Sequence, residues 1–380
     1  MRKINIVKLL TICIPIFYNI TDQGLLPKYS QYIPLIFIVI FMIVSKEKIV
    51  IERSIKVVVL LIFLTYVCIP IISFNFGKNN IVLESLYIVL NIIFVLALIS
   101  LRTYSKKYGI KCIVKSLMIG NFIGVTYSLL RNFNNFNNNN LKWIGSSNRV
   151  ARASFGYSHA NFAAMFILFN ILIIYIYFFI IENNRKIFAT ILISLFTITM
   201  LFTASRTAIF CVGIFFLLEI IKNILQRLNW IQKIFIICLS SITLIILVMG
   251  LKIYNLQIDL DLRSLYVRIG SLKNNIDILN KNSFLLGNGG VSISNMHNYI
   301  INMKISDNWY ITTILMYGIV GLLTMLINII YISINSIKNK NYFIFNLIIT
   351  VIVYSTMENI IFVPGVLISV LFWGLIFLYL

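Results

Sequence analysis

Apolar runs of about twenty residues recur along the whole 380-residue chain, and this feature decides what it can fold into. A run of that length crosses the roughly 30 Å hydrocarbon core of a bilayer as a helix, which satisfies its own backbone there. The runs lie at about 4–20, 30–45, 56–73, 81–100, 112–130, 159–181, 187–203, 206–222, 233–251, 308–333, 342–357 and 360–379. Composition points the same way, with 60% hydrophobic residues and a mean hydropathy of +0.96. Only 11% of residues are charged, too few to cover a water-facing surface. The expectation is an all-α polytopic membrane protein of about 12 transmembrane helices, with residues 1–380 forming a single bundle. Two long connections interrupt it, 131–158 and 252–307. The first run follows Arg2 and Lys3, lacks a small-residue cleavage site and reads as a retained signal-anchor helix.

A net charge of +21 would suit nucleic acid, but the cations are placed otherwise. Arg2, Lys3 and Lys8, then Lys46, Lys48, Arg53 and Lys56, then Arg102, Lys106, Lys107, Lys111 and Lys115 fall on one side of the alternating spans. Arg185, Lys186, Lys222, Arg227, Lys233, Lys338 and Lys340 join them, while the opposite short loops hold only Lys28 and Lys78. By the positive-inside rule the basic side is cytoplasmic, which puts both termini inside and both long loops outside, in a cytoplasmic (inner) membrane. Nucleic acid is not an expected partner; the lipid bilayer is.

The outer loops differ in character. Asn132 to Asn140 is an asparagine-rich stretch that reads as a disordered tip without chemistry. In the second loop Leu265, Ile269, Leu272, Ile276 and Leu279 mark one face of an amphipathic surface helix, ended by Asn280 and the glycines Gly287, Gly289 and Gly290. Five cysteines without paired spacing imply no disulfide framework. Asp259 and Asp261 lack histidine support, so no metal is expected, and no phosphate-cradling glycine motif or other cofactor signature occurs.

Polar investment concentrates on the outer side. Arg206 opens a span whose N-terminus faces outward, with Ser205 as a reasonable cap, and the pairing of cation and exposed N–H groups suits an anion. An arginine snorkelling to headgroups would look the same. Arg149 and Arg152 precede another outward-starting span, and Arg263 and Arg268 lie on the expected surface helix. Five outer arginines in a chain short of acids suit a pyrophosphate, gripped by paired hydrogen bonds. Non-specific attraction to anionic lipid is the competing reading. His159 and His297 are the only histidines. His297 can act as a general base or stand as a solvated loop residue, whereas His159 reads as a polar helix cap. Asp307 reads as an N-cap before Trp309 and Tyr310 in the aromatic belt. Glu358, in the last hairpin, needs a cationic partner such as an outer arginine.

Five segments in this order resemble the bacterial polysaccharide polymerase and O-antigen ligase superfamily, Wzy-type polymerases in particular. They are Arg152-Ala153-Ser154-Phe155-Gly156-Tyr157-Ser158-His159-Ala160-Asn161, Ser205-Arg206-Thr207-Ala208, Arg268 with Leu272, Leu285-Leu286-Gly287-Asn288-Gly289, and the stretch from His297 to Gly318-Ile319-Val320-Gly321. The resemblance covers about 149–321; the first five spans match in hydropathy alone. It implies a GT-C-like bundle and a metal-independent glycosyltransferase acting on polyprenyl-pyrophosphate-linked oligosaccharides, as donor and acceptor, at the outer face. The product would be capsule, exopolysaccharide or O-antigen, with a flippase and a chain-length regulator as further partners. Arg206 and Arg268 would hold the pyrophosphate, joined by Arg263, Arg152, Arg149 and His159. The superfamily's histidine ten residues or so before a glycine is replaced here by Asp307 ahead of Gly318, so the base lies between His297 and Asp307. His297 has the better titration range and Asp307 the better position.

Two other functions compete. An O-antigen ligase would share the donor site and transfer finished chains to a lipid core. A flippase or secondary transporter would also have about twelve spans, but alternating access favours broken helices, midplane polar groups and internal repeats.

Overall fold

The computed structural model describes residues 2–27, 29–49, 51–74, 81–136, 152–227, 281–287, 308–356, 358 and 366–380. Every regular element among them is helical. They are α1 (Arg2–Asp22), α2 (Ile33–Val44, after a 3₁₀ turn at Ser30–Tyr32) and α3 (Arg53–Phe63, continuing through a π-turn at Leu64–Cys68 into Ile69–Phe74). Then come α4 (Ile81–Tyr108), α5 (Ile110–Arg131), α6 (Ala160–Tyr175, running into a π-turn at Ile176–Ile181), α7 (Lys186–Leu201) and α8 (Arg206–Arg227). The short α9 (Lys281–Leu286) precedes α10 (Trp309–Lys338), α11 (Tyr342–Ser355) and α12 (Leu367–Tyr379). Seven described helices are long and apolar enough to cross a bilayer, and α2, α7, α11 and α12 are shorter apolar helices. The chain is a multi-pass helical membrane protein. The span expected at 233–251 and the surface helix expected at 265–279 lie outside the described residues.

The bundle is built around α12. Every residue from Leu367 to Leu378 is buried, and the sequence of this helix is apolar on all faces, so only a position inside other helices suits it. It touches α1, α4, α5, α6 and α11. Its last carbonyls, which no residue of the helix can satisfy, are taken from outside. Arg102 of α4 donates to Leu378 O at 2.7 Å and Asn341 donates to Tyr379 O at 2.9 Å. Arg102 also pairs with Glu52 at 2.6 Å, so a buried cation at the negative end of a helix dipole is balanced twice. Hydrogen bonding from Lys106, reinforced by Arg102, holds the Glu52 carboxyl below its ordinary range.

The most extensive helix pair is α1 with α5, and a pattern missed in the sequence explains it. Gly120 and Gly124 form a G-x-x-x-G repeat, which lets two backbones approach closely in a membrane. A side chain at Gly120 would meet the Ile12 carbonyl oxygen at 2.3 Å, and one at Gly124 would meet Asn19 at 2.6 Å.

The helices alternate in direction. One end gathers the ion pairs of Lys107 with Glu47, Lys106 and Arg102 with Glu52, and Lys111 with Glu182. The other gathers the contacts of Asn19 with Tyr157, Arg152 with Thr203, and Asn308 with Thr356. Few charges interrupt the described spans. Glu219 in α8 is one, buried and answered by Tyr175 Oη at 3.0 Å, Asn346 Nδ2 at 2.8 Å and Lys222 Nζ. Both its oxygens are engaged by the fold, as a buried carboxylate requires.

Two breaks shape the end opposite these ion pairs. Pro70 has no N–H for the carbonyl four residues back, and α3 bulges into its π-turn just there. Asn91 of α4 donates to the stranded Tyr66 carbonyl at 2.8 Å. In α10, Gly318 has φ +67° and ψ −174°. A straight helix across 309–338 would measure about 44 Å, whereas α11 covers about 20 Å. Yet α10 meets both ends of α11, through Asn308 with Thr356 and through the Ser336–Asn341 hairpin bond. The segment 309–317 therefore folds across the end of the bundle rather than along it.

Candidate functional site

The site is assembled at the end where α1, α5, α7 and α11 finish and α6, α8 and α10 begin. Its anchor is the segment from Arg152 to His159, which precedes α6 and is fastened along its length. Ala153 N donates to Phe202 O at 3.0 Å. Phe155 is buried in the left-handed region at φ +48°, and its carbonyl accepts from Ser128 and, at 3.0 Å, from Asn132. Gly156 follows at φ +83°, where a side chain would run into the Asn132 amide at 2.5 Å. Tyr157 stacks on Phe166 and donates to Asn19 of α1 at 2.5 Å.

This fastening corrects one expectation. Asn132–Phe136, the start of the asparagine-rich stretch, is not a loose tip. Asn132 ties α5 to the Phe155 carbonyl, and Phe136 packs on Phe155 and Phe202. The Asn132 amide, which closes the helix end, and the half-buried Phe136 ring outweigh the compositional bias. Residues 137–140 lie outside the described residues.

Arg152 then has a fixed place. Its Nε donates to the Thr203 carbonyl at 3.1 Å and its Nη2 donates to Asn161 Oδ1. Asn161 is in the first turn of α6 and passes the contact on, donating from Nδ2 to the buried carboxylate of Glu358. Tyr354 closes the group, its hydroxyl 3.5 Å from the Asn161 carbonyl. Glu358 is thus joined to Arg152 through an amide that stands between them. A buried charge without such partners would cost several kcal/mol, so the arrangement stabilises this end of the bundle as well as orienting Arg152.

Thr203 lies in the turn between α7 and α8. Ala204 takes a left-handed φ of +50°, Ser205 is buried, and the Ser205 carbonyl receives the first helical bond of α8 from Ile209. Arg206 follows at the opening of α8, partly exposed, and its side chain makes no hydrogen bond or ion pair with any described residue. The first N–H groups of α8 open at the same end of the helix. One turn therefore carries both the acceptor that holds Arg152 and the unengaged Arg206. His159 caps α6, its Nδ1 accepting from the Asn161 N–H at 3.2 Å, which leaves that nitrogen unprotonated.

Across the site, Asn308 caps α10, accepting from Tyr310 N at 2.9 Å and Ile311 N at 3.3 Å, and it donates to Thr356 O. This corrects the expectation that Asp307 would be the cap: the residue after it does that work. Trp309 is buried rather than placed in an outward belt, because its segment lies across the bundle. Arg149, Arg263, Arg268, His297 and Asp307 all lie outside the described residues.

One feature of the second loop is visible. Lys281–Leu286 is helical, and the chain turns at Gly287 with φ +74°. There it meets the break in α10, backbone against backbone. A side chain on Gly318 would strike the Leu285 carbonyl oxygen at 2.1 Å, and one on Gly287 would strike the Met316 carbonyl at 2.4 Å. The glycines at 287 and 318, which belong to two of the segments quoted above, are each required by the other's closeness. Asn161, Thr203 and the Gly287–Gly318 contact were not singled out in the sequence. The residues they touch are remote in the chain, and only the glycines carried a local signal.

No protein-family model, curated protein or solved structure matches the chain. Among the described residues no group of histidine, cysteine, aspartate and glutamate could hold a metal ion.

Proposed function

We propose that the protein is a polysaccharide polymerase, joining polyprenyl-pyrophosphate-linked oligosaccharide repeat units at the outer face of the cytoplasmic membrane by metal-independent glycosyl transfer. The observation that carries this reading is the gathering of two arginines around one turn at one end of the bundle. Arg152 is held in place through Thr203 and Asn161. Arg206, at the start of α8, has no ion pair among the described residues and lies three positions from the Thr203 carbonyl that holds Arg152. A guanidinium fixed by neighbours and a second one left open suit a ligand bearing two adjacent phosphates.

In this reading the acceptor sugar hydroxyl attacks the anomeric carbon of the donor glycan. The bond from that carbon to the pyrophosphate oxygen breaks, and polyprenyl pyrophosphate departs with the electron pair. Arg206 and Arg152 offset the departing charge, which is the largest catalytic contribution in reactions of this kind. A residue of the second outer loop, His297 or Asp307, takes the hydroxyl proton. The N-terminal end of α6, capped by His159, borders the same site.

The test uses purified protein in liposomes, supplied with a synthetic polyprenyl-pyrophosphate repeat unit. Wild type is expected to give a ladder of products and Arg206→Ala to lose it. Loss of the ladder in His297→Ala assigns the base to His297, and survival moves it to Asp307. A single transfer to a lipid core acceptor, without a ladder, would instead identify a ligase. The breaks in α3 and α10 and the π-turn after α6 are features that transporters also use. Movement of the lipid-linked unit across the bilayer, with no new glycosidic bond, would establish that second reading and refute the first.

A further inference from the structure

Beside the arginine site, on the other flank of α1, lies a group of buried polar side chains that the reading above does not use. Tyr18 is 4% exposed and its hydroxyl has no partner among the described residues. The same holds for Gln31 Oε1, in the turn before α2, and for Oδ1 of the fully buried Asn91 on α4. Asn91 spends its amide nitrogen on the Tyr66 carbonyl exposed by Pro70, which fixes the direction of the unanswered oxygen. A buried polar atom without a hydrogen bond is costly in any interior, and most of all where the surroundings are lipid. The atoms on Tyr18, Gln31 and Asn91 are therefore available to a ligand that can both donate and accept.

Aromatic rings line the same region. The Tyr32 hydroxyl lies within electrostatic range of Tyr18 and Tyr87. The Tyr87 and Tyr317 hydroxyls are 2.5 Å apart, and the Tyr317 ring meets Tyr66 edge-on at 5.9 Å between centroids. These side chains come from α1, the 3₁₀ turn, α3, α4 and α10. They begin in the last turn of α1 and reach about 15 Å down α4, counted from Ile81 to Asn91. At the same end of the bundle α9 contacts α3 and α10.

The chemistry of the group narrows its occupant. Among the described residues of the group, phenol, carboxamide and aromatic faces are present without a cation, so these residues offer a phosphate no charged partner. Prenyl chains offer no hydrogen bonds to unanswered amide and hydroxyl groups. A neutral polyol offers both donors and acceptors, and its C–H faces pack on aromatic rings. We propose that Tyr18, Gln31 and Asn91, with the rings of Tyr32, Tyr87 and Tyr317, form a carbohydrate subsite for the uncharged glycan part of the substrate. The inference rests on the glycan-transfer reading and adds to it a division of labour: phosphates on the arginine flank of α1, sugar on the tyrosine flank.

The experiment immobilises the full chain in nanodiscs and offers free oligosaccharides, released by mild acid from the lipid-linked fraction of source membranes. Retained sugars are quantified by mass spectrometry, and Tm is measured alongside. Wild type is expected to retain an oligosaccharide, and Tyr18→Phe and Gln31→Met to retain at least about tenfold less with Tm unchanged or raised. Removing a buried hydroxyl that has no protein partner should not weaken the fold. Equal retention by all three proteins, as expected if ordered water alone fills the region, overturns the subsite. Loss of retention together with a lowered Tm also overturns it, by assigning these groups a structural role. The ladder assay separates the two readings: a ladder without sugar retention removes the subsite and keeps the polymerase. Tyr18-dependent retention without a ladder does the reverse.

Discussion

Asn161 shows how much one uncharged side chain can decide. It accepts from Arg152 with its oxygen and donates to Glu358 with its nitrogen, so a cation and a buried anion share one amide. Asn161→Ala would leave Glu358 short of a donor at 4% exposure. The expected cost is about 1–3 kcal/mol, read as a lower Tm in detergent. Glu358→Gln, which keeps an acceptor for Asn161, should cost less; a larger loss in Glu358→Gln than in Asn161→Ala would contradict the bridging role. None of this was legible from residue 161 alone. An asparagine in the first turn of a helix reads as a cap, and its real partner lies 197 positions further on. By contrast His159 carried its capping role in its local sequence, because a cap satisfies groups two or three residues away.

Among the elements, α9 and the broken start of α10 form one unit. Gly318→Ala would place a methyl 2.1 Å from the Leu285 carbonyl oxygen at a backbone angle of φ +67°. The backbone strain alone is about 1–3 kcal/mol, and the collision adds to it. The expected result is undocking of α9, seen as faster proteolysis near 281–287 while the ion-paired end of the bundle stays protected. Unchanged cleavage would show that the contact does not hold α9 in place. Helix existence was legible because apolar runs and their punctuation are local. The turn at Gly287 was legible for the same reason, since a glycine after an apolar run ends a helix. Its partner was not, because periodicity identifies which face of a helix is buried and leaves open what buries it. The G-x-x-x-G of α5 sits between these cases, a readable pattern whose mate, α1, is fixed by the fold.

At the scale of the molecule, the ion pairs of Glu47, Glu52 and Glu182 gather at one end of the bundle, and loop charge leads to the expectation that this end is cytoplasmic. In a background with all five cysteines replaced, Ser158→Cys should react with a membrane-impermeant maleimide added outside intact cells. Lys340→Cys should react only after the membrane is opened, and the opposite pattern would invert the topology. Both positions are exposed, so accessibility to water is not the variable. The bundle that separates these ends is organised on α12, whose every face is covered by helices that precede it in the chain. Synthesis therefore delivers the wall before the pillar. As α1, α4, α5 and α6 leave the ribosome and enter the membrane, the partner they have in common has not yet been made. Their final packing waits for the translation of residues 367–379, and a stop codon ahead of Leu367 would withdraw that partner from all of them at once.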